Sequence, residues 1–112
     1  MRGVLEQGDL IEVDFNPSVG HEPAKSRPAI VVSGYGFNAR SSLVVVIPVT
    51  RKDNGYPLHL PVTGSMEAVG FACVEQIRSI DLTQRGYRFV GSVDDATMRS
   101  ILGHVRGMLE LR

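Results

Sequence analysis

A single cysteine, Cys73, excludes an internal disulfide, which fits a reducing compartment. No apolar run approaches the roughly 18–20 residues of a membrane-spanning helix. Residues Met1 to Glu6 contain no apolar h-region, so no secretory signal is expected and the expected location is the cytoplasm. His21, His59 and His104 are far apart, and no His or Cys pair has a zinc-like spacing. There is no Gly-rich phosphate loop either, so neither a metal nor another cofactor is expected. The 12 basic and 12 acidic residues cancel, so bulk charge does not announce a nucleic-acid binder. Such binding would need local basic clusters, and the chain has three: Lys25 with Arg27, Arg51 with Lys52, and Arg85 with Arg88. With no repeat, linker or low-complexity segment, the 112 residues read as one domain, 1–112.

What the chain does have is a series of short strand patterns. Ile11, Val13 and Phe15 alternate with Glu12 and Asp14, the period of a half-buried strand. Ala29 to Val32 is a β-branched run suited to a strand buried on both faces. Ser33 to Asn38 reads as turn chemistry carrying two aromatics. Leu43 to Val49 is the most strand-like stretch, and its Pro48 predicts an edge or a bulge. Asn54-Gly55 is a turn signal. Leu58–Val62, Gly70–Ile77 and Tyr87–Val90 read as further strands. The period then changes: Met98, Ile101, Leu102, Val105, Met108 and Leu109 form one helical stripe. Ser92, Asp94 and Asp95 supply capping oxygens and negative charge at its start. Five or six strands in series followed by one helix predict a mainly β fold. It would be a small, strongly twisted antiparallel sheet or barrel with a C-terminal helix on an open side.

The stretch Gly20 to Pro28 carries the densest chemistry. It places His21, Glu22, Lys25 and Arg27 in a loop between two strands, longer than a hairpin needs. His21, Glu22 and Arg27, together with the Thr50 hydroxyl, form a metal-free set that could cleave RNA. Such cleavage needs a base to take the 2′-hydroxyl proton, an acid to protonate the leaving 5′-oxygen, and a cation to hold the phosphoryl charge. A histidine titrates in the right range for acid or base work, and an arginine offers planar, permanently charged donors. Cys73, inside a predicted strand, reads as core filler rather than a nucleophile.

Several pieces together resemble the MazF/PemK (Kid) family of toxin endoribonucleases. They are Gly8-Asp9-Leu10, Val13-Asp14-Phe15, Gly20-His21-Glu22, Arg27-Pro28-Ala29-Ile30-Val31-Val32-Ser33, Val46-Ile47-Pro48-Val49-Thr50 and Glu75-Gln76-Ile77-Arg78-Ser79-Ile80-Asp81. The likeness runs in the family's order and continues into the C-terminal helix. It implies a small SH3-like β-barrel with a helix, a homodimer, and sequence-selective cleavage of single-stranded RNA by a toxin. It also implies a cognate antitoxin whose acidic, largely disordered tail competes with RNA. Arg27 and Thr50 match active-site positions of the family, Glu22 its loop glutamate, and His21 the histidine of its Kid-like members. One departure is that Cys73-Val74-Glu75 stands where some Kid-like members carry Arg-x-Asp. This leaves the base and acid open among His21, Glu22 and Glu75. Lys25 and Arg51 are expected to contact RNA. Gln76 and Arg78 either contact RNA or line a dimer seam. His59 and His104 are expected on the surface, and Tyr35, Phe37 and Tyr56 either stack bases or plug the core. A CcdB-like toxin that poisons DNA gyrase by binding is the alternative, and it would not need the Glu22, Arg27 and Thr50 set.

Overall fold

The alternation of Ile11 and Val13 with polar neighbours yields strand β1 (Asp9–Asp14) in the computed structural model, which describes residues 3–15, 26–52, 55–62 and 70–110. Then follow β2 (Ser26–Val31), helix α1 (Tyr35–Arg40), β3 (Leu43–Thr50), β4 (His59–Val62) and β5 (Gly70–Cys73). A 3-10 turn at Val74–Gln76, β6 (Arg78–Asp81), β7 (Tyr87–Ser92) and helix α2 (Asp95–Leu109) complete the order. All pairings are antiparallel, in the order β4-β5-β3-β2-β1-β7, with β6 also on β3. The fold is thus mainly β, a seven-stranded twisted sheet with a C-terminal helix.

Strand β3 organises the sheet. One of its edges pairs with β2, from Ala29–Pro48 to Val31–Val46. Its other edge changes partner along its length: Leu43 to Val46 pair with β6, and Val49 and Thr50 pair with β5. Pro48 therefore lies inside the sheet rather than at an edge. It stands where β3 has left β6 and not yet taken up β5, so its missing N–H forfeits no ladder bond on that side. The stretch expected as one strand over 70–77 is divided for the same reason. Cys73 ends β5, the 3-10 turn crosses the gap with Val74 fully buried, and β6 starts at Arg78.

The two faces of β3 build two cores. Leu10, Ile30, Ile47, Val49, Ala72 and Val74 meet Met98 and Ile101 of α2 on one face. Ile11, Val13, Phe15, Ala29, Val31, Val44, Val46 and Ile80 pack on the other. In α2 the predicted stripe points inward at Met98 and Ile101, while Leu109 at its end is exposed. Asp94 is the N-cap, its carboxylate accepting from the Thr97 N–H at 2.8 Å. Gly103 and Gly107 have open space where a side chain would start, so no close approach calls for glycine there.

Residues 35–40 form a helix where a turn was expected. Tertiary bonds decide this, not propensity. The buried Asn38 amide donates to Leu5 O (2.9 Å) and Ser33 O (3.1 Å), and its oxygen accepts from the Ser33 hydroxyl. These bonds tie α1 to the N-terminal segment and hold a helix too short to persist alone.

Candidate active site

Arg27 lies on β2 opposite Val13 of β1, hence on the face of the second core. On the other side of β2, Ala29 pairs with Pro48 of β3. Continuing that register by two residues brings Arg27 opposite Thr50, and the period of two puts Pro48 and Thr50 on one face. The core that begins at Val44 and Ile80 thus opens, at this end, into a pocket of about 380 Å³ lined by Phe15, Arg27, Pro48, Gln76 and Arg78. The residues come from five places in the chain, and the gap between β5 and β6 is what leaves room for them.

The pocket is cationic. The Arg78 guanidinium lies 4.3 Å from the centre of the Phe15 ring, an arrangement favoured by the ring quadrupole. Burial, then the fields of Arg85 and Arg27, push the Arg78 pKa below its usual value. The guanidiniums of Arg27 and Arg85 thus act on that of Arg78, and among the described residues neither Arg27 nor Arg78 is in an ion pair. Arg85 donates to Asp14 O at 2.9 Å, tying the turn before β7 to the end of β1. Such a cluster of positive charge favours an anion.

Thr50 ends β3, half-buried, and its hydroxyl oxygen accepts from the Lys52 N–H at 3.4 Å. A Cβ on Gly70 would come within 2.2 Å of Thr50 O, so Gly70 permits the close pairing of β5 with the end of β3. The Cys73 thiol is buried at the end of β5. Burial and then Glu75 push its pKa up, while Arg27 and the Thr50 backbone act the other way. Cys73, Glu75, Arg27 and Thr50 thus share one electrostatic neighbourhood.

Glu75 is not a lone carboxylate. His59 Nε2 lies 2.9 Å from Glu75 Oε2, and Gln76 Nε2 donates to the same oxygen at 3.3 Å. Burial raises the Glu75 pKa, but the His59 bond, its own backbone N–H and Gln76 outweigh it and leave the pKa below the ordinary value. The expectation of a surface His59 is therefore wrong: its side chain is 6% exposed, with the Tyr56 ring edge-on at 5.1 Å. The cause is the hairpin of β4 and β5, whose register sets His59 opposite Cys73. His104 is exposed, its Nδ1 against Ser100 O at 2.8 Å.

Of the expected site residues, Arg27, Gln76 and Arg78 meet in the pocket, whereas Thr50 does not line it and stands two residues beyond the lining Pro48 on β3, followed by the exposed Arg51. His21, Glu22 and Lys25 lie outside the described residues. Tyr35, Phe37 and Tyr56 are exposed rather than core plugs. Sequence reasoning missed Phe15 and Pro48 as walls and His59 as the partner of Glu75. Among the described residues no three His, Cys, Asp or Glu side chains are grouped to hold a metal. Among them, too, no helix is long and apolar enough to cross a membrane.

The family model described as PemK-like, MazF-like toxin of type II toxin–antitoxin system matches residues 6–109. The chain is similar to the endoribonuclease toxin MazF of Escherichia coli K12, with 33% identity over 108 residues and 96% of each chain covered. It is also similar to endoribonuclease PemK of Escherichia coli, with 31% identity over 110 residues, covering 94% of this chain and 82% of PemK. Among solved structures, MazF from Deinococcus radiodurans superposes with a TM-score of 0.84 at 25% identity, over 98% of this chain and 100% of that one. MazF in a MazE–MazF complex from the same organism superposes with a TM-score of 0.86 at 24% identity, covering 98% and 100%.

Proposed function

The chain belongs to the family of PemK-like, MazF-like toxins of type II toxin–antitoxin systems, and from that premise we propose that it cleaves single-stranded RNA without a metal, at the pocket holding Arg27. It is an endoribonuclease, the toxin of a toxin–antitoxin pair, and its protein partner is a cognate antitoxin. The gyrase-poisoning alternative is not favoured, since the curated relatives are named as endoribonucleases. The finer reading makes residues 1–112 one toxin domain that works as a homodimer in the cytoplasm, on messenger RNA and with sequence selectivity. The acidic tail of the antitoxin would compete with RNA for the cationic pocket.

One observation carries the mechanism: the register of β2 on β3, continued by two residues, brings Arg27 opposite Thr50 next to a pocket whose Arg27 and Arg78 are in no ion pair among the described residues. The 2′-oxygen attacks the adjacent phosphorus, the P–O5′ bond breaks, and the products are a 2′,3′-cyclic phosphate and a 5′-hydroxyl. Arg27 holds the phosphoryl oxygens as negative charge grows on them, work that a fixed donor performs without reorganisation. The Thr50 hydroxyl donates to the same phosphate. The base that takes the 2′-hydroxyl proton and the acid that protonates O5′ come from His21, Glu22 and Glu75. Arg78, Gln76, Arg51 and Lys25 hold the flanking nucleotides. The RNA must be unpaired, because side chains cannot read bases in the deep, narrow major groove of A-form duplexes. The test is incubation of purified protein with a long single-stranded RNA in excess EDTA, with mass analysis of the new ends. Cyclic phosphate ends are expected; intact RNA, or cutting that appears only on adding metal, would refute the reading.

A further inference from the structure

Gln76 lines the pocket, and how its amide is turned decides what it can recognise. A carboxylate only accepts hydrogen bonds, so the Gln76 group on Glu75 Oε2 must be its nitrogen. The same argument applies to His59: the ring atom 2.9 Å from that oxygen must carry a proton. One carboxylate oxygen therefore takes two donors, one from a nearly buried imidazole and one from the pocket wall. His59 is fixed by its place in the β4–β5 hairpin and by the Tyr56 ring. Glu75 is fixed by His59, and Gln76 by Glu75. The second amide N–H and the carbonyl oxygen of Gln76 have no partner among the described residues. Beside them the exposed Arg78 guanidinium lies on Phe15, a flat cationic platform of the kind on which unpaired bases stack.

We propose that His59, acting through Glu75, is a positioning residue that locks the Gln76 amide in one orientation, so that its free oxygen and N–H read the edge of the nucleobase stacked on Arg78. This rests on the RNA-cleaving reading above. His59 then tunes which base is accepted, at a distance from the bond that breaks. An amide free to turn over would present its donor and acceptor in either order and would discriminate less between bases. An amide–base pair of two hydrogen bonds supplies a preference of about fivefold to a hundredfold.

The test is a comparison of cutting rates on two single-stranded RNAs that differ in one base at the strongest site, in EDTA. It uses wild type, His59→Phe, His59→Gln, Gln76→Ala and the His59→Phe/Gln76→Ala double variant. Gln76→Ala and His59→Phe are each expected to reduce the preference between the two RNAs at least about fivefold. The double variant should reduce it no further than either alone, because both act through one amide. His59→Gln, whose amide nitrogen can replace the Nε2 donor, should restore it. Should His59→Phe fail to fold, His59→Asn, whose shorter amide falls short of Glu75, takes its place in the cycle. An unchanged preference in Gln76→Ala, or a His59 variant that slows both RNAs equally, would overturn the proposal. Failure of the wild type to cut either RNA would instead refute the endoribonuclease reading itself.

Discussion

Gly70→Ala should disturb the site through geometry alone. The added Cβ would stand 2.2 Å from Thr50 O, 3.0 Å from Thr50 C and 3.1 Å from Val49 Cγ1. Carbon and oxygen approach no closer than roughly 3.3 Å even in favourable C–H···O contacts, so β5 and the end of β3 must part by about 1 Å. The two nearest atoms in the way are backbone and cannot rotate aside. Overpacking of this kind costs about 1–3 kcal/mol. At about 4 °C per kcal/mol for a domain of this size, the Tm should fall by roughly 4–12 °C. Displacing Thr50 by about 1 Å should slow cutting on the order of a hundredfold in the fraction that remains folded. Thermal unfolding by circular dichroism and single-turnover cutting below the new Tm measure the two effects. Gly103→Ala is the control: its Cβ enters open space on α2, and it should stabilise the protein by about 1 kcal/mol. If Gly70→Ala unfolds and cuts like the wild type, the close seating of Thr50 against β5 is wrong.

Three further outcomes follow from the fold. Asn38→Ala strands Leu5 O without its buried donor and should cost about 1–3 kcal/mol, with hydrogen exchange accelerating first in residues 35–40. Glu110 caps α2 in the left-handed region at φ 58, so Glu110→Gly should add about 0.5–1 kcal/mol, read as a rise in denaturation midpoint. Glu75 has a folded pKa below its ordinary 4.5. Its pairing with His59 and Gln76 therefore contributes stability above about pH 4.5 that is lost as pH falls through the lower folded value. The stability gap between wild type and Glu75→Ala should accordingly be constant near neutrality and shrink on acidification; a gap that widens in acid would contradict the assigned direction.

Periodicity alone located β1, β3 and α2, because the burial of each follows its own backbone repeat. It could not find α1, whose helix depends on Asn38 reaching Leu5, thirty-three residues away. Nor could it divide residues 70–77, since Val74 is as buried as a strand residue while lying in a 3-10 turn. Arg27 and Thr50 were singled out through the resemblance, and the register of Ala29 on Pro48, continued by two residues, brings the two opposite one another. His59 was misread because an isolated histidine carries no sign of a carboxylate sixteen residues on; only the β4–β5 hairpin brings them together. Phe15 continues the alternation of β1, but its role as a support for Arg78 depends on how β6 crosses the sheet end.

The most direct test of the account is a double-mutant cycle on the single-turnover cutting rate, using Arg27→Ala, Thr50→Ala and both together. Each single change should slow cutting, the arginine by about a hundredfold to a thousandfold. The losses should fall short of multiplying in the pair, because both groups hold one phosphate. Independent, fully multiplicative losses, or an Arg27→Ala protein that cuts at the wild-type rate, would contradict it.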